Sequence, residues 1–303
     1  MRIVQYNTHE VIPLRFTGDS YYSAMGHGRS DYEGFYGITE RMMYYGLHCH
    51  DFYELYIHYR GAKYFGIDNE VYLLQPNHLL IIPPFHMHGL LCEENMIHYE
   101  RAYLYISPEF LSSVGCMQID LEQVLLEKTN RNHFLFALDA EKAVKCAYFL
   151  NQIQNNAECY SSWDQFSNLT RILPVLHTML EAEHTSVQSL PIETINPLMH
   201  KVLMYINGHY TEPLTLKQLS EKFNISVSTL SHEFIRYIHH SVYNYILYRR
   251  VMLAKQKIFE NIPLSEISDQ CGFGDYSNFL RAFTKYNRIS PSEYGKQIFR
   301  RLP

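Results

Sequence analysis

The sequence predicts an α+β chain of two domains. An N-terminal antiparallel β-barrel with two packing helices precedes an all-α domain of two helix-turn-helix units joined by a long helix. Three observations predict it. From Tyr32 to Tyr105, short aromatic and branched runs are broken by Gly, Pro, Asn and Asp about every eight to twelve residues, the signature of a small antiparallel barrel or sandwich. Between Asp139 and Glu183 the apolar spacing turns helical. From Leu214 to Tyr286 one helix–turn–helix plan occurs twice, with Leu230 of the first copy matched by Phe279 of the second. The boundaries follow as 1–138, 139–195 and 196–303.

Strand candidates in the first domain are Phe52–Tyr59, Lys63–Ile67, Val71–Leu74 and His78–Pro83. In the middle segment Ala143, Ala147, Leu150 and Ile153 mark one helix, and Phe166, Leu169, Ile172, Leu173, Leu176 and Leu180 a second, with Pro174 as a kink or boundary. Glu183 to Pro197, rich in Thr and Ser and holding two prolines, reads as a linker.

The first helix–turn–helix unit opens on Thr215 and Gln218, a capping box that satisfies free N–H groups at a helix start. Leu216, Leu219 and Phe223 form its apolar face, Asn224 suits a tight turn, and Ser226 is a fresh N-cap. Burying Leu230 and Phe234 turns Ser228, Thr229, Ser231 and His232 outward. The second unit repeats this with Pro263 at a helix start, Ile267 and Cys271 on the apolar face, Gly272 at the turn and Asp275 as cap. Phe279 and Phe283 are its buried pair; Tyr276, Ser277, Asn278 and Arg281 face out. Between the units, Tyr243 to Glu260 lacks Gly and Pro and reads as one helix.

These residues resemble the DNA-binding domain of AraC/XylS-type transcription regulators. The matching stretches are Leu216 to Ser226, the Leu230/Phe234 pair, Arg250 with Ala254, Ser265 to Phe273, and Ser290 to Tyr294. His239 and Arg288 depart from it, standing where the family usually has glycine after each recognition helix. The resemblance implies that double-stranded DNA is the partner, with the second helix of each unit in the major groove. Base-reading candidates are Ser228, Thr229, Ser231 and His232 in the first unit, and Tyr276, Ser277, Asn278 and Arg281 in the second. Arg281 suits guanine and Asn278 adenine. Candidate phosphate contacts are Lys217, Lys222, Arg236, Arg249, Lys285 and Arg288, which position without reading sequence. Arg250, by the same resemblance, is structural. Charge divides the chain at the same boundary: from Asn196 onward 14 Lys+Arg face 8 Asp+Glu, a net of +6, while the remainder carries −11.

A second constellation lies near the start: His48, His50, Glu54 and Gly61, then Pro83 and His88. It resembles the two motifs of the cupin barrel, with Asn77 and Phe85 standing where glycine is usual. In a metallo-cupin His48, His50, Glu54 and His88 would be the metal ligands, a donor set suited to Zn²⁺, Fe²⁺, Mn²⁺ or Ni²⁺. In the regulators resembled here the barrel commonly holds a small-molecule effector such as a sugar. The same four residues are therefore open to three readings: the polar lining of an effector pocket with Tyr53 and Tyr56, a divalent-metal site, or satisfied structural groups. Tyr64 and Tyr72 are further candidate pocket aromatics, while His58 and His86 are read as incidental. The paired helices resemble the family's dimerising element, so a homodimer is expected.

Six cysteines without C-x-x-C spacing indicate neither a disulfide framework nor a zinc knuckle. There is no apolar run of a signal peptide near Met1 and no span of about 18 apolar residues, so the expectation is a soluble cytoplasmic protein. The function expected is a ligand-responsive transcriptional regulator, an activator by resemblance, with no catalytic residues and no obligatory cofactor. The competing readings are a metal-dependent cupin oxygenase or isomerase with a helical appendage, and a protein-binding scaffold; the scaffold leaves the positive charge of the last third unexplained.

Overall fold

The structure, a computed structural model, describes residues 31–42, 47–62, 64–68, 70–91, 96–115, 119–130, 133–153, 161–185, 190–191, 197–238 and 240–299. Its β-strands begin with β1 (Tyr32–Met42), β2 (Tyr53–Arg60), β3 (Tyr64–Ile67), β4 (Glu70–Leu73), β5 (His78–Ile82), β6 (His88–Leu90) and β7 (Met96–Ile106). Helices α1 (Pro108–Val114) and α2 (Leu121–Lys128), strand β8 (Leu135–Ala137), helices α3 (Ala140–Leu150) and α4 (Ser162–Leu180), and strands β9 (Glu183–His184) and β10 (Leu190–Pro191) follow. The expected barrel is realised as two sheets, a six-stranded one in the order β1-β7-β2-β5-β8-β9 and a four-stranded one in the order β10-β4-β3-β6. Among the described residues no continuous ladder closes them; the isolated His48–His88 bridge is the link nearest the functional cluster.

Strand β2 shows how the layers are built. Tyr53, Leu55 and Ile57 pack against the helical layer, in one core with Phe110, Ala143, Leu150, Ile172 and Leu176. Tyr56, on the opposite face, joins Phe65, Ile67, Leu80, Ile82 and Tyr99 in a core between the sheets. This is the two-residue alternation of a strand buried on both sides. It corrects one expectation: Tyr53 faces the helices, with its hydroxyl 3.4 Å from Glu122, and does not line the space holding Glu54 and Tyr56.

Two departures from the cupin pattern keep the geometry that glycine would supply. Asn77 and Phe85 both have positive φ, at 68° and 69°. At Gly61 (φ 91°) a Cβ would lie 2.6 Å from the Cα of Tyr99, so the close approach of two backbones excludes any side chain.

Asp139 caps α3, and Ser161 caps α4 in a reciprocal capping box with Asp164. Helix α4 continues through Pro174. The apolar series expected on it divides: Ile172, Val175, Leu176 and Met179 are buried, while Trp163, Phe166 and Leu173 are exposed. The segment read as a linker contributes structure to both sheets. β9 pairs with β8, and β10 pairs with β4.

The C-terminal domain consists of α5 (Pro197–His209), α6 (Leu216–Lys222), α7 (Val227–Ile238), α8 (Val242–Phe259), α9 (Leu264–Gln270), α10 (Tyr276–Asn287) and α11 (Pro291–Phe299). Leu219, Leu230, Phe234, Ile267, Phe279 and Phe283 are fully buried in its core. That core also takes in Leu47, Cys49 and Met87 from the N-terminal domain. Among the described residues no helix is long and apolar enough to cross a membrane.

Candidate functional site

In the first unit, Thr215 and Gln218 form the expected capping box, and the turn follows with Asn224 at φ 52°. Ser226 accepts the backbone N–H of Thr229 at 3.0 Å and so starts α7. Ser228, Thr229 and His232 are exposed and Ser231 is half-buried. The hydroxyl of Thr229 is engaged by Ser226 at 2.7 Å.

In the second unit Asp275 caps α10, accepting the Asn278 backbone N–H at 2.7 Å. The Asn278 side chain in turn donates to Asp275 and accepts from the Arg281 guanidinium at 2.6 Å. Tyr276, Ser277, Asn278 and Arg281 are all exposed. Asn278 thus spends its amide within the helix start and braces Arg281, which leaves Arg281 as the forked donor of this unit. At the end of α10 Arg288 takes the left-handed conformation (φ 61°), keeping the helix end that glycine usually makes. His239 lies outside the described residues.

The candidate phosphate contacts separate into two groups. Lys217, Lys222, Arg236, Lys285 and Arg288 are exposed, Lys217 beside Glu221 and Arg236 beside Glu233. Arg249 is a correction. Its side chain is only 16% exposed, lies 3.6 Å from Asp68 of the N-terminal domain and sits over the Tyr210 ring. A guanidinium committed to a carboxylate inside a domain contact is not offered to DNA. Arg250 donates to the carbonyls of Tyr210 and Glu212, holding α8 to the end of α5.

In the N-terminal domain one donor atom each from His48, His50, Glu54 and His88 lies within 4.8 Å of the others. Strand β2 supplies Glu54, β6 supplies His88, and the segment before β2 supplies both remaining histidines. His50 and His88 are oriented alike: each Nδ1 meets a backbone carbonyl at 2.9 Å, that of Phe52 and that of His86. Each Nε2 points at Glu54 Oε2, at 3.2 and 2.8 Å. Burial pushes the His50 imidazolium down, and the hydrogen bond to Glu54 only partly restores it. Burial would raise the Glu54 carboxyl, but hydrogen bonds from His50 and His88 and their charges hold it far below the usual range. Next to this cluster Tyr56 and Tyr99 share a buried hydrogen bond of 2.7 Å between their hydroxyls. Tyr72 lies buried in the same inter-sheet core, while Tyr64 is half-buried at the start of β3. His58 is buried further along β2 with its pKa lowered to about 4 by burial and by His78.

Directly behind the cluster the two domains meet. Tyr248 of α8 donates its hydroxyl to the Cys49 carbonyl. Lys255 pairs with Asp51 at 2.7 Å, and the Tyr294 hydroxyl of α11 donates to the same carboxylate. Burial alone would raise Asp51, yet Lys255 and Tyr294 keep its carboxyl below the ordinary value. His240 contacts the Leu47 carbonyl at 3.1 Å. Asp68 completes the contact, taking up Arg249, His86 and the Met87 N–H. His86, expected to be incidental, is therefore part of this dock. None of the base-reading candidates takes part in these contacts. The dock escapes sequence reading because Tyr248 and Tyr294 lie about two hundred residues from their partners.

A model of the AraC-like ligand binding domain matches residues 34–126, and a model of a helix-turn-helix domain matches residues 219–297. The HTH-type transcriptional regulator YdiP of Escherichia coli K12, itself uncharacterised, is 26% identical over 262 residues, covering 84% of this chain and 82% of its own length. The lactose operon transcription activator of Staphylococcus xylosus is 29% identical over 116 residues, 38% of this chain and 42% of its own. Among solved structures, the C-terminal domain of the response regulator yesN from Fusobacterium nucleatum is 31% identical, with a TM-score of 0.32 over 33% of this chain and 98% of that one. ToxT of Vibrio cholerae aligns over 88% of this chain and 99% of its own at 14% identity and a TM-score of 0.34.

Proposed function

The chain belongs to the AraC family of transcriptional regulators, and from that premise we propose that it is a cytoplasmic homodimeric activator whose paired reading helices are controlled by a small molecule bound in the N-terminal domain. It is a DNA-binding regulator rather than an enzyme. One observation carries the reading. Helices α7 and α10 each bury a pair of apolar residues while their starts stand exposed and clear of the interdomain contacts. Arg281, braced by Asn278, reads a base; Lys217, Lys222, Arg236, Lys285 and Arg288 meet phosphates.

The dimer reading is supported by exposed apolar side chains on the helical layer: Val144 and Tyr148 on α3, and Trp163, Phe166 and Leu173 on α4. Apolar side chains gathered on one exposed layer are what a contact with a second surface would cover. The activator sign is supported by the lactose operon activator among the relatives. Its name also supports a carbohydrate effector, and the aromatic space around Tyr56, Tyr72 and Tyr99 between the sheets is the kind of lining that receives one. The His–Glu cluster itself spans less than a sugar ring with its hydroxyls.

Gel-shift titration of the full chain on its own upstream DNA tests the reading. Binding at low salt that weakens steeply with added salt is expected, with sedimentation of a dimer that Trp163→Glu dissociates. Absence of any DNA affinity at low salt rejects it. A thermal-shift screen of sugars tests the effector class separately.

A further inference from the structure

On the larger sheet, the face turned toward the smaller sheet carries its side chains in rows. Along one row Arg101 of β7 stands opposite His58 of β2, which stands opposite His78 of β5. Tyr56 and Leu80, two residues away on the same strands, pack in the core between the sheets, so this row faces that space. No acid among the described residues pairs with any of these nitrogen bases. The carboxylates on the same face, Glu33 and Glu54, lie two rows away, about 13 Å along the strands. Glu54 is taken up by His50 and His88. Glu100 turns to the opposite face, engaged by Arg60 at 2.8 Å and by the Tyr36 hydroxyl at 2.7 Å.

The members of the row are engaged differently. His78 is satisfied, its Nδ1 accepting the Gln75 N–H at 3.1 Å, and burial holds its pKa down. Arg101 is clamped but not neutralised. Its guanidinium lies 5.0 Å from the centre of the Phe35 ring and 4.7 Å from that of Tyr99. One N–H donates to the Thr39 hydroxyl at 2.9 Å, which leaves most of the fork without a charged partner. His58 rests on the same Tyr99 ring, 6.5 Å between centres, and its buried Nδ1 has no hydrogen-bond partner. With its pKa lowered to about 4, His58 is neutral near pH 7 and can donate from that nitrogen. An orphaned buried nitrogen costs about 1–3 kcal/mol, a cost that a bound acceptor removes. A forked cation held between two rings is already oriented for a planar anion.

We propose that Arg101 and His58 form an anion-binding subsite, and that the small molecule taken by the N-terminal domain carries a carboxylate or phosphate group which pairs with Arg101 and accepts from His58 Nδ1. This rests on the reading that the domain binds a carbohydrate effector and narrows it to a sugar acid or a sugar phosphate. The adjoining row suits the body of such a ligand. There the Phe35 and Tyr103 rings stack at 4.9 Å, both half-buried, and present flat apolar faces beside the cation. Gly37, the β1 neighbour of Arg101, is what admits this arrangement: a Cβ there would lie 2.7 Å from the tip of the Phe35 ring that supports the guanidinium.

The test uses the full chain in thermal-shift and calorimetric titrations with glucuronate, galacturonate and glucose 6-phosphate, each set against glucose or galactose. At least one anionic probe is expected to bind saturably where its neutral parent does not. The carboxylate and phosphate arms decide which group the subsite receives. Arg101→Gln is expected to weaken that binding at least about tenfold, and Arg101→Lys, which keeps the charge and loses the fork, by less. His58→Phe is expected to weaken it about two- to tenfold while raising the thermal midpoint of the ligand-free protein, because an apolar ring replaces an orphaned nitrogen. A histidine with only a structural part would instead lose stability and leave affinity unmoved. Failure of every anionic probe to bind, a neutral sugar bound as tightly as its acid, or anion affinity untouched by Arg101→Gln would overturn the proposal. The outcomes also keep the two readings apart. A neutral sugar bound equally by the wild type and Arg101→Gln removes the subsite and keeps the carbohydrate effector, whereas no sugar of either kind bound by a chain that still shifts DNA removes both.

Discussion

The two helix-turn-helix units follow one plan to the end of their turns and then diverge. In the first, Phe223, Asn224 and Ile225 bond back to Leu219, Glu221 and Ser220; in the second, Cys271, Gly272 and Phe273 bond back to Ile267, Asp269 and Ser268. Each residue of one set is matched by the same bond in the other. The second unit then inserts Gly274, at φ 79° and with open space around it, before its cap at Asp275. After that point the chemistry differs. The first reading helix begins with hydroxyls, one of them already bonded to the cap, while the second begins with a chain of bonds from Asp275 through Asn278 to Arg281. A shared turn fixes how each helix is carried, and the residues after it decide what each can read. On the proposed reading, sequence discrimination is expected to concentrate in the second unit.

The turn provides the largest contrast. A Cβ on Gly272 would lie 2.1 Å from the Thr211 carbonyl oxygen, and the residue is at φ 78°. Gly272→Ala is expected to cost more than about 3 kcal/mol in urea unfolding, because steric overlap adds to the strained backbone. Asn224→Ala, at φ 52° in the equivalent turn, is expected to cost about 1 kcal/mol from its backbone conformation. Equal costs in the two variants would show that the close approach of Thr211 adds nothing to the strain of the turn.

Readout comes next in size. Arg281→Ala is expected to lose discrimination at one base position by about 1–3 kcal/mol, measured by competition between operator variants. Ser231→Ala is expected to change base preference by much less, since a hydroxyl offers no fork. Comparable losses in the two would place specificity in both helices and cancel the asymmetry argued above.

One lysine and one arginine sharpen the picture through salt. Lys285→Ala is expected to weaken binding to all sequences and reduce the slope of log affinity against log salt by about 1. Arg249→Ala is expected to leave that slope unchanged and to destabilise the domain contact with Asp68. A slope change in the Arg249 variant would return that residue to the DNA surface.

How far such features can be read from sequence depends on the range of the interactions that set them. The caps at Thr215, Ser226 and Asp275 follow from bonds spanning three residues, and each forms as its spacing predicts. The buried pairs Leu230/Phe234 and Phe279/Phe283 follow from helical period alone. The side of β2 on which Tyr53 falls was also within reach, because it differs in parity from His50, Glu54 and Tyr56. Arg249 was not: its partner Asp68 lies in another domain, and a helical arginine with an aromatic beneath it has the same local pattern whether it meets a phosphate or a carboxylate. The Asp51–Lys255–Tyr294 dock is hidden for the same reason. The divided apolar face of α4 reflects a choice between the sheet and another surface that no period of 3.6 encodes.

The smallest effect tests whether the cap and the reading arginine are one device. Asp275 accepts the Asn278 backbone N–H and separately the Asn278 side-chain amide, whose oxygen holds Arg281. Asp275→Ala removes both bonds; by analogy with other N-caps it is expected to lower stability by about 1 kcal/mol. It should also relax preference at the base that Arg281 reads, because the guanidinium loses its brace and must be ordered on binding. Asp275→Asn keeps an oxygen for the cap and an amide near Asn278, so it is expected to retain most of the stability and part of the preference. In the first unit Ser226→Ala removes a cap of similar kind but braces no forked donor, so a comparable stability loss is expected with no change in base preference. If the Ser226 and Asp275 alanine variants shift operator preference equally, the Asp275–Asn278–Arg281 chain has no special part in readout, and the asymmetry between the units rests on Arg281 alone.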